Sequence, residues 1–156
     1  MARAPFQVLT FPFHRKDPSI EYAIFRRTDA GYWQGIAGGG EGEETPLEAA
    51  RREAEEEAGI PVESHYVVLD TVSKVPVEQV VGTLVWGKDV LAIPEYCFGV
   101  EVVSKQLTPS REHTEYRWVP YRTATDMLHW DRNKTALAEL NSRLSQQSKG
   151  WPTLPQ

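Results

Sequence analysis

Glu53, Glu56 and Glu57 are the residues of this chain whose type and spacing could do chemistry. On an α-helix Glu53 and Glu57 stand about 40° apart around the axis and about 6 Å apart along it. Glu56 lies about 60° to the other side of Glu53 by the same geometry. Three carboxylates therefore share one stripe. Like charges so placed repel each other and weaken the helix unless something positive occupies the space between them. Hard divalent cations with oxygen ligands do that, and Mg²⁺ is usually shared between carboxylates and substrate phosphates. A solvated, charge-laced helix is the competing reading of a glutamate run taken by itself.

The elements that must position this stripe are marked locally. Thr45 is a suitable N-cap, Pro46 a suitable first helical residue, and Glu48 stands three beyond the cap. A helix over 46–58 follows, ended by Gly59. Ala49, Ala50, Ala54 and Ala58 give it small apolar contacts for close packing. Residues 38–42 precede it and are too glycine-rich for regular structure, which suits unusual backbone angles. Residues 7–13 and 21–27 read as a hairpin about a turn at 15–19, and a second turn at 28–31 leads into 32–36. Strand composition recurs at 66–72, 96–103 and 115–119. The stretch 73–94 reads as a hairpin around Gly82 or Gly87, or as a long binding loop. Helices are expected over 121–128 and 131–144, the second with Ala136, Leu137, Leu140 and Leu144 as an apolar stripe. This order implies a mixed sheet packed by helices, in one domain over 1–145 with a fraying tail at 146–156.

Composition narrows the partners. A formal net charge of −5 argues against a sequence-independent grip on nucleic acid. Eight glutamates lie between positions 41 and 57, and an acidic cluster facing an anionic substrate makes sense only with cations between them. The single cysteine, Cys97, excludes an internal disulfide and reads as a small core residue. No apolar run is long enough to cross a bilayer, so a cytoplasmic setting without membrane contact is expected. His14, His65 and His129 lack metal-ligand spacing.

Spacing decides between the two readings of the glutamates. From Gly38 five residues lead to Glu44, seven more to Arg52, and Glu53-Ala54-Glu55-Glu56-Glu57-Ala58-Gly59-Ile60 follow without a gap. The segment resembles the Nudix box, all seven of whose fixed residues, with Ala54 and Ile60 at its two apolar positions, are present across 23 residues. The resemblance implies an α/β fold, an α/β/α sandwich with a mixed β-sheet and a loop–helix–loop catalytic motif. It implies Mg²⁺, with Mn²⁺ able to substitute, held by Glu53, Glu56, Glu57 and the Gly38 carbonyl. It makes Arg52 the residue that orients the helical glutamates, Glu44 a brace for the loop, and one carboxylate, assigned to Glu56, the general base. Water attacks phosphorus in that family while the cations hold charge on the leaving diphosphate.

Further segments resemble bacterial dihydroneopterin triphosphate pyrophosphatases, also described as dATP pyrophosphohydrolases. They are 29–35, containing Tyr32-Trp33-Gln34; 111–119, containing Glu112-His113; and Trp130 with Asn133-Lys134. This likeness implies Glu112 as a metal ligand from outside the box, with His113 a packing or hydrogen-bonding residue. It also offers Arg3, Arg26, Trp33 and Lys134 as substrate-binding candidates. Arg26 and Trp33 keep alternative readings as a solvated arginine and a packing aromatic. The expected substrate is a nucleoside or pterin triphosphate cut between the α and β phosphorus. The alternatives are ADP-ribose, a dinucleoside polyphosphate or an oxidised nucleotide, or a non-catalytic binding module, although such modules usually lose box glutamates.

Overall fold

The computed structural model describes residues 2–81 and 85–148. Its strands are β1 (Arg3–Lys16), β2 (Ser19–Arg27), β3 (Trp33–Gln34), β4 (Ile36–Glu41), β5 (Tyr66–Pro76), β6 (Ala92–Glu101) and β7 (His113–Val119). Its helices are α1 (Pro46–Ala58), α2 (Val77–Val80), α3 (Tyr121–Met127) and α4 (Asp131–Ser148). The strand order is β3-β2-β1-β6-β5, with β4 paired to β1 and β7 to β2. β1 and β6 run parallel and every other pair is antiparallel, so the sheet is mixed as expected.

Alternation along the strands builds two faces. Leu9, Phe11 and Phe13 of β1 point to one side and pack with Ala136, Leu137, Leu140 and Leu144, the stripe foreseen on α4. Val8 points the other way, onto Ala49 and Ala50 of α1, while Ala23, Phe25 and Ile36 meet Ala54 and Ala58. Helices thus cover both faces, giving the expected α/β/α layering. Cys97 lies in the α4-side core, where burial pushes its thiol up to about 12. Among the described residues no helix is long and apolar enough to cross a membrane.

Four expectations need correcting. The glycine run is not irregular. Residues 36–41 form a strand, with Gly38 opposite Val8 and Gly39 opposite Gln7, and only Gly42 nearby has a positive φ, 55°. Here glycine serves close approach rather than unusual backbone angles. The hairpin turn is tighter than 15–19: Lys16 pairs with Ser19, leaving Asp17 and Pro18 as its loop. In the stretch 73–94, β5 continues to Pro76 and one turn of α2 follows before β6 begins at Ala92. Gly82 lies outside the described residues, whereas Gly87 does take a left-handed φ of 104°. Lastly, α4 runs past 144 to Ser148, helped by the Arg15 guanidinium, which donates to Gln147 Oε1 at 2.9 Å. Residues 149–156 lie outside the description.

Candidate active site

The helix that carries the glutamates is closed at both ends as its sequence requires. The Thr45 hydroxyl accepts the Glu48 N–H at 3.2 Å, and the Glu48 carboxylate accepts the Thr45 N–H at 2.8 Å. At the other end Gly59, at φ 70°, donates to Glu55 O at 2.9 Å. Burying Ala49, Ala50, Ala54 and Ala58 turns Glu53 toward β4 and leaves Glu56 exposed.

Arg52 gathers this acidic surface. Its Nε and Nη2 grip Glu44 at 2.8 and 3.0 Å, Nη1 reaches Glu53 at 2.9 Å and Glu56 at 3.3 Å, and Nη2 also donates to Gly39 O at 2.8 Å. Glu44 in turn accepts the Glu41 N–H at 2.8 Å, which closes the turn between β4 and α1. The paired guanidinium lowers the pKa of Glu44, and the carboxylates raise that of Arg52. Both groups therefore stay charged.

Glu53 stands differently. Burial raises its carboxyl to about 7, against the opposing pull of Arg52. It lies directly over Gly38: a Cβ placed there would come within 2.1 Å of the Glu53 carboxyl carbon. The bare backbone of residue 38 leaves room for the Glu53 carboxylate against β4. A hard cation would suit it, because it would restore the charge that burial disfavours.

Glu57 is turned away from Arg52. Its carboxylate accepts the Ser110 hydroxyl, and His113 Nδ1 lies 3.5 Å from the same oxygen. Burial raises the pKa of Glu57 and lowers that of His113 to about 4, so the imidazole is neutral near pH 7. Glu112 is exposed next to this group, close enough for its charge to act on Glu57. The three helical carboxylates thus share the expected stripe but do not converge. Arg52 draws Glu53 and Glu56 to one side while Ser110 holds Glu57 on the other. Among the described residues no three acidic, histidine or cysteine side chains are gathered closely enough to cage a metal as they stand. The oxygen-only donor set nonetheless fits a divalent cation of the Mg²⁺ type.

The remaining candidates lie across the sheet. The Arg3 guanidinium occupies the space where a Cβ of Gly39 would stand, 0.7 Å from its Nη1. By alternation with Ala37 this is the α4 face. Trp33 packs on that face too, under the Arg117 guanidinium at 5.1 Å. Arg26 pairs with Trp33 across β2 and β3, and donates to Gly31 O and to Glu115 at 2.9 and 3.3 Å. Lys134 stands half-buried in the first turn of α4, next to Asn133, whose buried Oδ1 accepts the Gly35 N–H at 2.8 Å. Metal candidates and substrate candidates therefore occupy opposite faces that meet at β4.

Sequence reasoning missed two residues on the glutamate side. Arg27, opposite His113 in the β2–β7 register, is the basic residue whose charge acts on Glu57, whereas Arg26 points to the other face. Strand parity could have separated the two once the face of a neighbour was known. Ser110 carries no spacing signal, because its partner Glu57 is 53 residues away.

With this geometry in hand, comparison with known proteins is informative. The NUDIX domain family model matches residues 15–140. A NUDIX hydrolase structure from Listeria monocytogenes is 41% identical, covering 93% of this chain and 97% of that one, with a TM-score of 0.83. The E. coli dihydroneopterin triphosphate pyrophosphohydrolase superposes with a TM-score of 0.72 at 20% identity, covering 89% and 97%. The C. elegans Ap4A hydrolase, in a binary complex, gives 0.73 at 15%, covering 91% and 98%. None of the curated proteins compared matches the chain. The chain belongs to the Nudix family and is a hydrolase of phosphoric anhydrides.

Proposed function

We propose that this Nudix hydrolase cleaves a nucleoside or pterin triphosphate between the α and β phosphorus, releasing the monophosphate and pyrophosphate. The observation that carries this reading is the two-sided use of β4. Gly38 makes room for Glu53 on one face and Gly39 makes room for Arg3 on the other. Arg3 directs its hydrogen bonds to Gln7 and to Phe6 O rather than to a carboxylate, which leaves its charge available to a phosphate. An extended anion crossing this edge would meet carboxylates that hold cations on the α1 side and a cation of the protein on the α4 side.

Two of the three segments that resemble dihydroneopterin triphosphate pyrophosphatases come together on the α4 face. Tyr32 stacks on His129 with centroids 4.4 Å apart, and Asn133 is bonded to Gly35. Trp33 and Lys134 belong to this cluster and are assigned to the heterocycle and to a phosphate. Arg26, tied to Glu115 at the same end, is assigned to orienting that surface.

Glu53, Glu57, Glu112 and the Gly38 carbonyl, with Glu56 beside them, are the groups assigned to hold Mg²⁺. The ion supplies stabilisation of charge on the leaving pyrophosphate. Glu56 is the most exposed of the three helical carboxylates and is assigned as the base that takes the proton from the attacking water. Arg52 keeps Glu53 and Glu56 oriented. The experiment is a substrate panel with Mg²⁺, scored by product identity. Orthophosphate rather than pyrophosphate from every triphosphate would overturn the cleavage site.

A further inference from the structure

Residues 107–113 form a short strap between the end of α1 and the start of β7. Thr108 N–H donates to Ala58 O at 2.9 Å, and Ser110 N–H donates to Glu57 O at 3.0 Å, tying the strap to the last turn of the glutamate helix. On its far side Thr28 N–H donates to Glu112 O at 2.8 Å and the Thr28 hydroxyl to Arg111 O at 2.8 Å. The strap is thus held at both ends by main-chain bonds. Ser110 stands in its middle.

The Ser110 hydroxyl makes two bonds at once. It donates to Glu57 Oε2, and its oxygen accepts the Glu112 N–H at 3.2 Å. Among the described residues it supplies the one hydrogen bond to the Glu57 carboxylate. The other polar neighbour, His113, is buried with neither ring nitrogen bonded, and it approaches the same oxygen. Both therefore address Oε2, and among the described residues no hydrogen bond engages Oε1. One hydroxyl joins the Glu57 carboxylate on α1 to the backbone of Glu112, which arrives from much further along the chain.

We infer that Ser110 is a positioning residue for the metal centre, fixing the Glu57 carboxylate and the Glu112 main chain relative to each other before a divalent cation binds. A carboxylate ligand that is not held must be ordered when the ion arrives, and this lowers affinity. Outer partners of ligating carboxylates are commonly worth about ten- to a hundredfold in metal affinity.

The inference rests on Glu57 and Glu112 being ligands, so the test separates the two claims. Mn²⁺ is titrated into the metal-free full chain, and free Mn²⁺ is read by electron paramagnetic resonance, with no substrate present. Ser110→Ala and the near-isosteric Ser110→Cys should each weaken Mn²⁺ binding by about tenfold. Ser110→Thr, which keeps the hydroxyl, should stay within about threefold of the wild type, inside the scatter expected of such effects. At saturating metal the KM for substrate should be unchanged in all three. Circular dichroism identifies any variant that fails to fold, and the remaining variants then carry the test. Wild-type Mn²⁺ affinity in Ser110→Ala or Ser110→Cys overturns the inference. Equal weakening in Ser110→Thr overturns it too, because the strap's packing rather than the hydroxyl would then be responsible. Should Glu57→Gln bind Mn²⁺ like the wild type, the ligand assignment itself fails and this inference falls with it.

Discussion

Gly38 and Glu53 touch in a way no other residue at position 38 would permit: a single added carbon would overlap the Glu53 carboxyl. Gly38→Ala should therefore push the Glu53 side chain aside while leaving β4 paired to β1. A displacement of about 1 Å at a catalytic group can cost roughly a hundredfold in rate. The expected result is a fall in kcat of that order, with a circular dichroism spectrum and thermal midpoint near those of the wild type. Wild-type turnover in Gly38→Ala would show that the approach of these two residues has no functional weight.

Glu57 is buried against Ser110 and His113, and Gln fits the same space without the charge. Glu57→Gln should lower kcat by about a hundredfold or more with Mg²⁺ present and leave the fold intact. Retention of most activity would remove Glu57 from the metal centre. Chelation with EDTA should abolish turnover of the wild type.

Glu112 and Glu115 make a matched pair for testing the ligand outside the box. Glu112 acts electrostatically on Glu57, whereas Glu115 is engaged by Arg26 and Arg117 on the opposite face, each at 3.3 Å. Glu112→Gln should weaken Mn²⁺ binding and kcat, and Glu115→Gln should leave Mn²⁺ binding unchanged. The reverse pattern in a Mn²⁺ titration would mean that the ligand comes from the other face.

Burial of Glu53 also makes a statement about stability. Its folded pKa is about 7 against an ordinary value of 4.5, so the folded chain holds a proton that the unfolded chain has lost between those values. Stability from this group is full below about pH 4.5 and declines as pH rises to about 7. His113, lowered to about 4, acts in the opposite direction between about pH 4 and 6.5. The difference between Glu53→Gln and the wild type isolates the first effect. In metal-free protein the Gln variant should gain thermal stability relative to the wild type as pH goes from 4.5 to 8. A pH-independent difference would show that Glu53 is not desolvated.

The legible parts of this protein were those whose determinants are local. The span of α1 follows from Thr45, Pro46, Glu48 and Gly59, all of which act within one turn of the helix. The stripe on α4 follows from its period. The strand β4 was not legible, because three successive glycines read as a loop until the partners are known. Gly38 and Gly39 are required by Glu53 and Arg3, which are distant in sequence. The last turn of α4 was hidden in polar sequence that Arg15 stabilises from β1. In the site, the Nudix box revealed residues that share one helix. Ser110 bonds the same carboxylate from the strap and Arg27 acts on it by charge from β2, and neither left a trace in spacing.

The central claim is that the two faces meeting at β4 bind a triphosphate and release pyrophosphate from it. Its most direct measurement is kcat/KM with Mg²⁺ for dihydroneopterin triphosphate and dATP, side by side with ADP-ribose, diadenosine tetraphosphate and 8-oxo-dGTP, with products identified. The account predicts that one of the first two substrates leads and yields one pyrophosphate per turnover. A tenfold advantage for ADP-ribose would contradict it, leaving the Nudix assignment standing and the substrate reading wrong.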